Sequence, residues 1–362
     1  MSGVAQPSPA AGPPATAQPA ADQPCVAVVI ANWNGAVHLA PCLAALRRQT
    51  IRGRMAVLVV DNGSTDDSLA LLARNADFVR VIANPTNTGF AAASNQGIVA
   101  AGFSEFVALL NNDAAPEPGW LAEMVRVMGE DPRIGICTPK VLAATDRRVF
   151  DNAGQALFAD GLTRGRGRLQ EDIGQFDRQE EVFGPSGCAP LLRRRMLDEV
   201  GLLDEGFFAY CEDADLAFRA RLRGWRCIYV PTAVVSHHFS ATTDAFSAFK
   251  ALHVERNRVW LALKNLPLPL LLVSPAFTLL RYGWQAVGAL TGRGASGRFV
   301  AAGSRSALAV ILLRAYLQAL RGLPRALRQR RAIQRTRTVS AWEVWRWLHR
   351  FGISARDIAL ME

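Results

Sequence analysis

The run Phe106-Val107-Ala108-Leu109-Leu110 is apolar without interruption, and it ends abruptly in Asn111, Asn112 and Asp113. An apolar run with no polar alternation is the pattern of a parallel strand covered on both faces. Pro116, Pro118 and Gly119 then turn the chain, and Trp120 to Met128 reads as a helix. Three small polar side chains at the carboxyl end of a central parallel strand stand where open α/β sheets bind ligands. A lone carboxylate in that place needs a partner, and a divalent cation bridging to phosphate oxygens suits it. A polar strand-to-helix turn with an Asx cap would use the same residue types. The stretch therefore fixes a place in a fold before it fixes a function.

The chain before it repeats the same plan. Val26 to Ala31 is a first strand, closed by the turn Asn32-Trp33-Asn34-Gly35, and His38 to Gln49 is helical. Met55 to Val60 is a second strand that ends at Asp61, with Ser64 or Thr65 placed to cap the next helix and Asp66 and Asp67 in its first turn. Phe78 to Ala83 is a third strand, followed by Asn84-Pro85-Thr86-Asn87-Thr88-Gly89 and a helix over Ala91 to Ala101. Strands alternating with helices at this spacing predict a doubly wound α/β fold with a mostly parallel sheet. Asp61 and Asp113 then share one rim. The loop ending at Gly89 lacks both the Lys-Ser/Thr of a P-loop and the GxGxxG spacing, and the segment after Asp61 lacks the glutamate of a calcium loop.

After Ile134 to Pro139 the alternation loosens. Arg147 to Asp177, rich in Gly, Arg and Asp, reads as irregular loops or short antiparallel strands over the rim. Phe183 to Leu192 is apolar again, and Arg193 to Val200 starts a basic helix. Aromatic residues then crowd ahead of Glu212, Asp213 and Asp215. Acids at a helix start are stabilised by the helix dipole. An acid against an apolar wall can also have its pKa lifted into the working range of a base. Cys227 to Val230 is a further strand, leading through Pro231 to Ser236-His237-His238, a plausible position for a metal ligand.

These pieces together resemble a family 2 glycosyltransferase of the GT-A fold, and more narrowly its bacterial rhamnosyltransferase-like branch. The resemblance spans roughly Val26 to Leu266. It is carried by the order of VIANWNG, VVDNGSTDDS, NPTNTGFAAASNQGI, LLNNDAAPEPGWL, Gly187-Cys188-Ala189, FFAYCEDADLAFRARLRGW and PTAVVSHH. It implies that Asp61 binds the base of a nucleoside-diphosphate sugar, with Asn32, Asn34, Asn87, Gly89, Asn111, Asn112 and Gly187 around the donor. Asn111-Asn112-Asp113 matches the Asp-x-Asp-like motif, so Asp113 is the expected metal carboxylate. His237, five residues before Thr242, is the expected second metal ligand, for Mg²⁺ or Mn²⁺. The pair Glu212-Asp213 matches the acid motif, with Asp213 as catalytic base. The first motif position is Asn111 rather than aspartate, and Pro190 interrupts a run where the branch continues a strand. The chemistry asks for the same parts: charge neutralisation on the leaving diphosphate, a carboxylate to take the acceptor proton, and attack from the face opposite the leaving group, which inverts the anomeric carbon.

The 362 residues, half of them apolar, suffice for one large domain and an appendage. We divide them into a disordered Pro/Ala-rich segment over 1–24 without a signal peptide, a catalytic domain over 25–265 and a basic helical region over 266–362. Six cysteines without CxxC pairing read as free thiols of a reducing compartment. The net charge of +10 favours an anionic partner. Leu266 to Leu280 is apolar but carries three prolines and is shorter than a spanning helix needs. With the apolar helix Leu308 to Leu320, the basic Arg321 to Arg337 and Trp342, Trp345 and Trp347, it reads as a peripheral anchor on anionic lipid. The expected setting is the cytoplasmic face of a bacterial inner membrane, or the cytoplasm, with a lipid-linked or glycan acceptor. A nucleic-acid-binding protein would show basic aromatic strands or a recognition helix, and none is evident. A nucleotidyltransferase would carry a Gly-rich basic loop after the first strand, and Asn32-Trp33-Asn34-Gly35 is not one.

Overall fold

A computed structural model of the chain describes residues 25–102, 104–238, 247–302 and 305–361. The segment 1–24 and Thr242 lie outside them. The first half alternates as the apolar runs dictate: β1 (Val26–Asn32), α1 (Ala36–Arg47), β2 (Met55–Asp61), α2 (Ser68–Ala73), β3 (Val79–Ala83), α3 (Phe90–Ala100), β4 (Phe106–Leu109), β5 (Ala114–Pro116) and α4 (Trp120–Glu130). The second half is more irregular. It holds β6 (Ile134–Ala143), β7 (Phe150–Asn152), β8 (Gln155–Leu157), β9 (Thr163–Gly165), β10 (Glu180–Glu181), β11 (Leu191–Arg193), α5 (Arg194–Val200), α6 (Glu212–Leu222) and β12 (Arg226–His237).

The main path of the sheet runs β10-β12-β6-β11-β4-β1-β2-β3. β1 pairs in parallel with both β2 and β4, and β2 with β3. β11 lies antiparallel between β4 and β6, beginning just after Pro190, and β12 runs parallel to β6. The fold is thus mixed α/β with a mostly parallel central sheet. β4 sits at its centre, so the polar residues that follow it open onto the middle of the rim. The helix α4 buries Trp120, Leu121, Met124, Val127 and Met128 in the core beneath that rim.

One strand differs from expectation. The sequence predicts a strand over Cys227 to Val230 with the histidines beyond it. Instead β12 continues to His237 through a register break between Val230 and Val234, which takes up Pro231. Proline has no amide to give a ladder, and a bulge is where a strand tolerates it. The continuation pairs His237 with Ala114 of β5, and this brings the imidazole beside Asp113.

Among the described residues, seven helices follow: α7 (Ala248–Asn265), α8 (Leu268–Thr291), α9 (Gly294–Ala302), α10 (Arg305–Arg321), α11 (Leu323–Thr336), α12 (Ala341–Arg350) and the short α13 (Ala355–Leu360). They pack on the catalytic body through a common core. Phe207 and Phe218 meet Trp260, Leu266, Leu270, Ala319, Ala326 and Trp347 there.

Candidate functional site

A cavity of about 740 Å³ opens at the carboxyl end of the parallel strands. That lies within the range of small-molecule and cofactor sites, roughly 300–1,000 Å³. Of the residues expected at the site, Asn32, Asn87, Gly89, Asn111, Asn112, Asp113, Gly187, Glu212, Asp213 and His237 line it. Asn34 and Asp61 do not. Asp61 is fully buried below the floor. One of its oxygens accepts from the Asn32 side-chain amide at 2.9 Å and the other from the backbone N–H of Ser64 at 3.0 Å. Asn32 in turn accepts from the Asn112 side chain at 2.8 Å. The carboxylate therefore fixes the floor through Asn32. Asn34 faces outward and accepts from the Thr65 backbone N–H at 2.7 Å.

The wall beside Asn32 is the Asn84–Gly89 loop. Asn62, the residue after Asp61, holds it: its amide donates to Asn87 Oδ1 at 3.0 Å and to the Gly89 carbonyl at 3.2 Å, and its oxygen accepts from Thr88. Gly89 has φ +90°, and a Cβ there would fall 2.6 Å from the Phe208 ring. The phosphate-loop appearance of this segment thus comes from a tight loop packed against the aromatic turn ahead of the acids.

On the opposite part of the rim, His237 Nε2 lies 3.2 Å from Asp113 Oδ1, and Nδ1 lies 2.7 Å from Asp151 Oδ2. Asp151 comes from β7, which pairs with β6 and lies over the rim. Arg168 approaches its other oxygen at 3.3 Å. Burial disfavours the imidazolium, but Cys188, Asp113 and Asp151 outweigh it and hold the His237 pKa well above its ordinary value. A spot where two carboxylates converge on one imidazole concentrates negative charge and is suited to a cation. The donor set also fits a divalent ion. Asp113 Oδ1 and His237 Nε2 are as far apart as neighbouring ligands of an octahedral ion, roughly 3 Å for bonds near 2.1 Å. Asp151 orients the imidazole as carboxylates do behind metal-bound histidines. Among the described residues no group of three or more His, Cys, Asp or Glu side chains forms a complete cage. The remaining positions would fall to diphosphate oxygens and water.

The acids open into the same cavity at the start of α6. Asp213 keeps access to the cavity. Its Oδ2 accepts from Gln155 Nε2 at 2.7 Å, and its Oδ1 accepts from the Ala214 backbone N–H at 2.7 Å. The Gly187 backbone N–H also donates to it, and a Cβ on Gly187 would stand 3.0 Å from Oδ2. Burial pushes the Asp213 carboxyl up, and these donors pull against the rise. Glu212 is buried, and among the described residues its Oε2 has no hydrogen-bond partner. Burial first, and the Asp213 charge second, push it up further than its neighbour. Two adjacent carboxyls whose surroundings separate their pKa values have separate roles. The donors around Asp213 favour its ionised form, while burial and the neighbouring carboxylate push Glu212 towards its protonated form.

Asp151, Asn152, Gln155 and Arg168 escaped the sequence reading. They sit on three-residue strands or beside them, in the 147–177 segment where no periodicity announces an element.

The glycosyl transferase family 2 sequence profile matches residues 27–201. An N-acetylglucosaminyl-diphospho-decaprenol L-rhamnosyltransferase of Mycobacterium tuberculosis is 30% identical over 251 residues, covering 62% of this chain and 80% of that protein. A pre-mycofactocin glycosyltransferase of the same organism is 29% identical over 256 residues, covering 69% of this chain and 48% of that one. Among solved structures, a mannosyltransferase of Pyrobaculum calidifontis in complex with GDP-Man and Mn²⁺ superposes with a TM-score of 0.50 at 19% identity, covering 82% of this chain and 87% of that chain. GalNAc-T7 with UDP, GalNAc and Mn²⁺ superposes with a TM-score of 0.54 at 17% identity, covering 67% of this chain and 48% of that chain.

Proposed function

This chain belongs to glycosyl transferase family 2, and we propose that it moves rhamnose or another hexose from a nucleoside-diphosphate sugar to a hydroxyl of a lipid-linked or cell-surface glycan acceptor, inverting the anomeric carbon. The observation that carries this reading is the meeting of two functions in one cavity. Asp113 and His237 meet at 3.2 Å on one side of the cavity, and Asp213 is a held, accessible carboxylate on another. The acceptor hydroxyl oxygen attacks the anomeric carbon, its proton passes to Asp213, and the bond from that carbon to the diphosphate oxygen breaks. Gln155 and the Gly187 amide hold the Asp213 oxygens during the transfer.

Asn32, Asn112 and the Asn87–Gly89 loop shape the floor and wall that receive the nucleoside, with Asp61 fixing Asn32 from below. Asn111, whose amide lies 3.3 Å from His237 Nε2, is assigned to the ribose or the sugar of the donor. Asp113 and His237 are the residues that would hold Mg²⁺ or Mn²⁺. When bound, the ion supplies neutralisation of the charge that develops on the leaving diphosphate. The rhamnosyltransferase relative, whose name carries a diphospho-decaprenol, supports a lipid-diphosphate acceptor.

The test is calorimetric titration of the full-length protein with a panel of uridine, guanosine and deoxythymidine diphosphate sugars, with and without Mn²⁺. One nucleotide class should bind with the metal and lose most of its affinity in EDTA. If no member of the panel binds in the presence of Mg²⁺ or Mn²⁺, the reading is wrong.

A further inference from the structure

Between Glu255 and Glu343 the chain contains no acidic residue, yet it carries fourteen arginines and one lysine. That is more positive charge than the net +10 of the whole chain. Some of it is used internally: Arg258, Lys264, Arg281 and Arg325 pair with Asp160, Asp204, Asp215 and Glu255. Arg293, Arg314, Arg321, Arg328, Arg331 and Arg335 instead face solvent.

The same helices leave large apolar side chains uncovered. On α8, Leu270, Ser274, Thr278 and Arg281 are turned inward. Leu268, Leu272, Val273, Leu279 and Leu280 are exposed, Leu272 and Leu279 to 71%. No charged side chain interrupts α8 before Arg281. On α10, Val310, Leu313, Leu317 and Leu320 are exposed on a stripe at helical spacing, and Arg314 and Arg321 flank it. α11 adds exposed Leu323 and Leu327 beside Arg328 and Arg331. Exposed apolar side chains clustered along helices and flanked by one sign of charge mark an interaction surface.

From this we infer that the outer faces of α8, α10 and α11 are a docking surface for an anionic phospholipid bilayer. The leucines enter the acyl boundary and the arginines meet the headgroups. A second copy of the chain would have to set this cationic field against itself, and the acid-free stretch offers it nothing to pair with. The contact is peripheral. Among the described residues no single helix is long and apolar enough to cross a membrane. The bent pair Ala307–Arg321 and Leu323–Thr336, which has the combined length, breaks by 61°. Its second half places Arg325, Arg328, Arg330, Arg331 and Arg335 where a hydrocarbon core would exclude them. Arg330 and Gln334 moreover bind carbonyls at the end of α7, which ties α11 to the folded body. The inference does not depend on the catalytic reading, since vesicle binding is measured with no sugar nucleotide or acceptor present.

The experiment is co-sedimentation of the full-length protein with phosphatidylglycerol-containing and pure phosphatidylcholine vesicles over a salt series. The wild type should bind the anionic vesicles and be released by salt. Each arginine near the surface is worth about five-fold, so Arg321→Gln/Arg328→Gln/Arg331→Gln should bind roughly 100-fold more weakly. Leu272→Ser/Leu279→Ser/Leu313→Ser/Leu317→Ser should lose binding at low salt as well, because charge alone leaves no insertion. Both variants change solvent-facing side chains only, so their thermal midpoints should stay near that of the wild type. Failure of the wild type to sediment with anionic vesicles at low salt overturns the inference. So does a leucine variant that binds like the wild type, which would make the surface purely electrostatic and open to duplex DNA. A wild-type dimer that the leucine variant dissociates, with vesicle binding unchanged, overturns it in favour of a second copy.

Discussion

Glu212, Asp213 and Asp215 stand within one turn of α6, and each meets different neighbours. Asp215 is fully buried, which works against ionisation, but Lys264 and Arg219 outweigh this and draw its carboxyl down to about 2. Its contribution to stability is present above the ordinary aspartate value near 3.9 and is lost as pH falls from there towards 2. Acid unfolding followed by circular dichroism should show this loss, and Asp215→Asn should remove that step. Glu212 behaves in the opposite sense. Its raised pKa means that the folded state holds the extra proton, so its contribution falls as pH rises above about 4.3, the ordinary glutamate value. Glu212→Gln mimics the neutral acid, and the variant should gain stability relative to wild type at pH 8. As the proposed base, Asp213 should set the acid limb of the rate above the ordinary aspartate range. Gln155 donates to its charged form, so Gln155→Leu should move that limb up by about one pH unit, the equivalent of a charged hydrogen bond. A purely structural glutamine would leave the limb in place. Asp151 was invisible in the sequence because an acid in a glycine- and arginine-rich loop has no pattern around it. Its contact with His237 predicts that Asp151→Asn weakens Mn²⁺ binding about 10- to 100-fold, measured by metal titration.

The turn that delivers those acids is held in an unfavourable shape. Phe208, Tyr210 and Cys211 all have positive φ, at 64°, 71° and 68°, a conformation costing about 1–3 kcal/mol per residue for side chains other than glycine. It persists because α7 clamps it. Asn257 is fully buried, and its amide reaches the carbonyls of Phe207, Ala209 and Tyr210 at 2.8–3.0 Å. Asn257→Ala should lower stability by about 1–3 kcal/mol through unpartnered carbonyls. It should also lower kcat about 10- to 100-fold through displacement of Asp213, while nucleotide binding at Asp113 and His237 stays near wild type. The strands β1, β2 and β4 were legible in the sequence because uninterrupted apolar runs have few alternative uses, and β3 was legible from its place in the alternation although Arg80 interrupts it. The clamp was not legible, since an asparagine on an amphipathic helix reads as a solvent-facing residue. β12 was legible only as far as Pro231, because the bulge that absorbs the proline is a property of its pairing with β6.

Across the whole molecule, the helices after Asn265 are joined to the catalytic body by buried charge as well as by apolar packing. Asp204, which takes the fully buried Lys264 of α7 at 2.6 Å, also takes Arg325 of α11 at 3.0 Å. Asp160 and Glu255 hold Arg258 and Arg281 in the same way. Sequence composition announced a basic helical region, but the partners of its inward arginines lie up to 121 residues away, as Arg281 and Asp160 do, beyond the reach of any local pattern. We propose, centrally, that one cavity holds a donor at Asp113 and His237 and deprotonates an acceptor at Asp213. It is tested by measuring donor affinity in Mn²⁺ and turnover together for Asp113→Ala and Asp213→Asn. The account predicts that Asp113→Ala loses metal-dependent donor binding. It predicts that Asp213→Asn binds the donor like wild type and turns over about 10²- to 10⁴-fold more slowly. If Asp213→Asn turns over normally, or if Asp113→Ala binds the donor with metal as the wild type does, the account is contradicted.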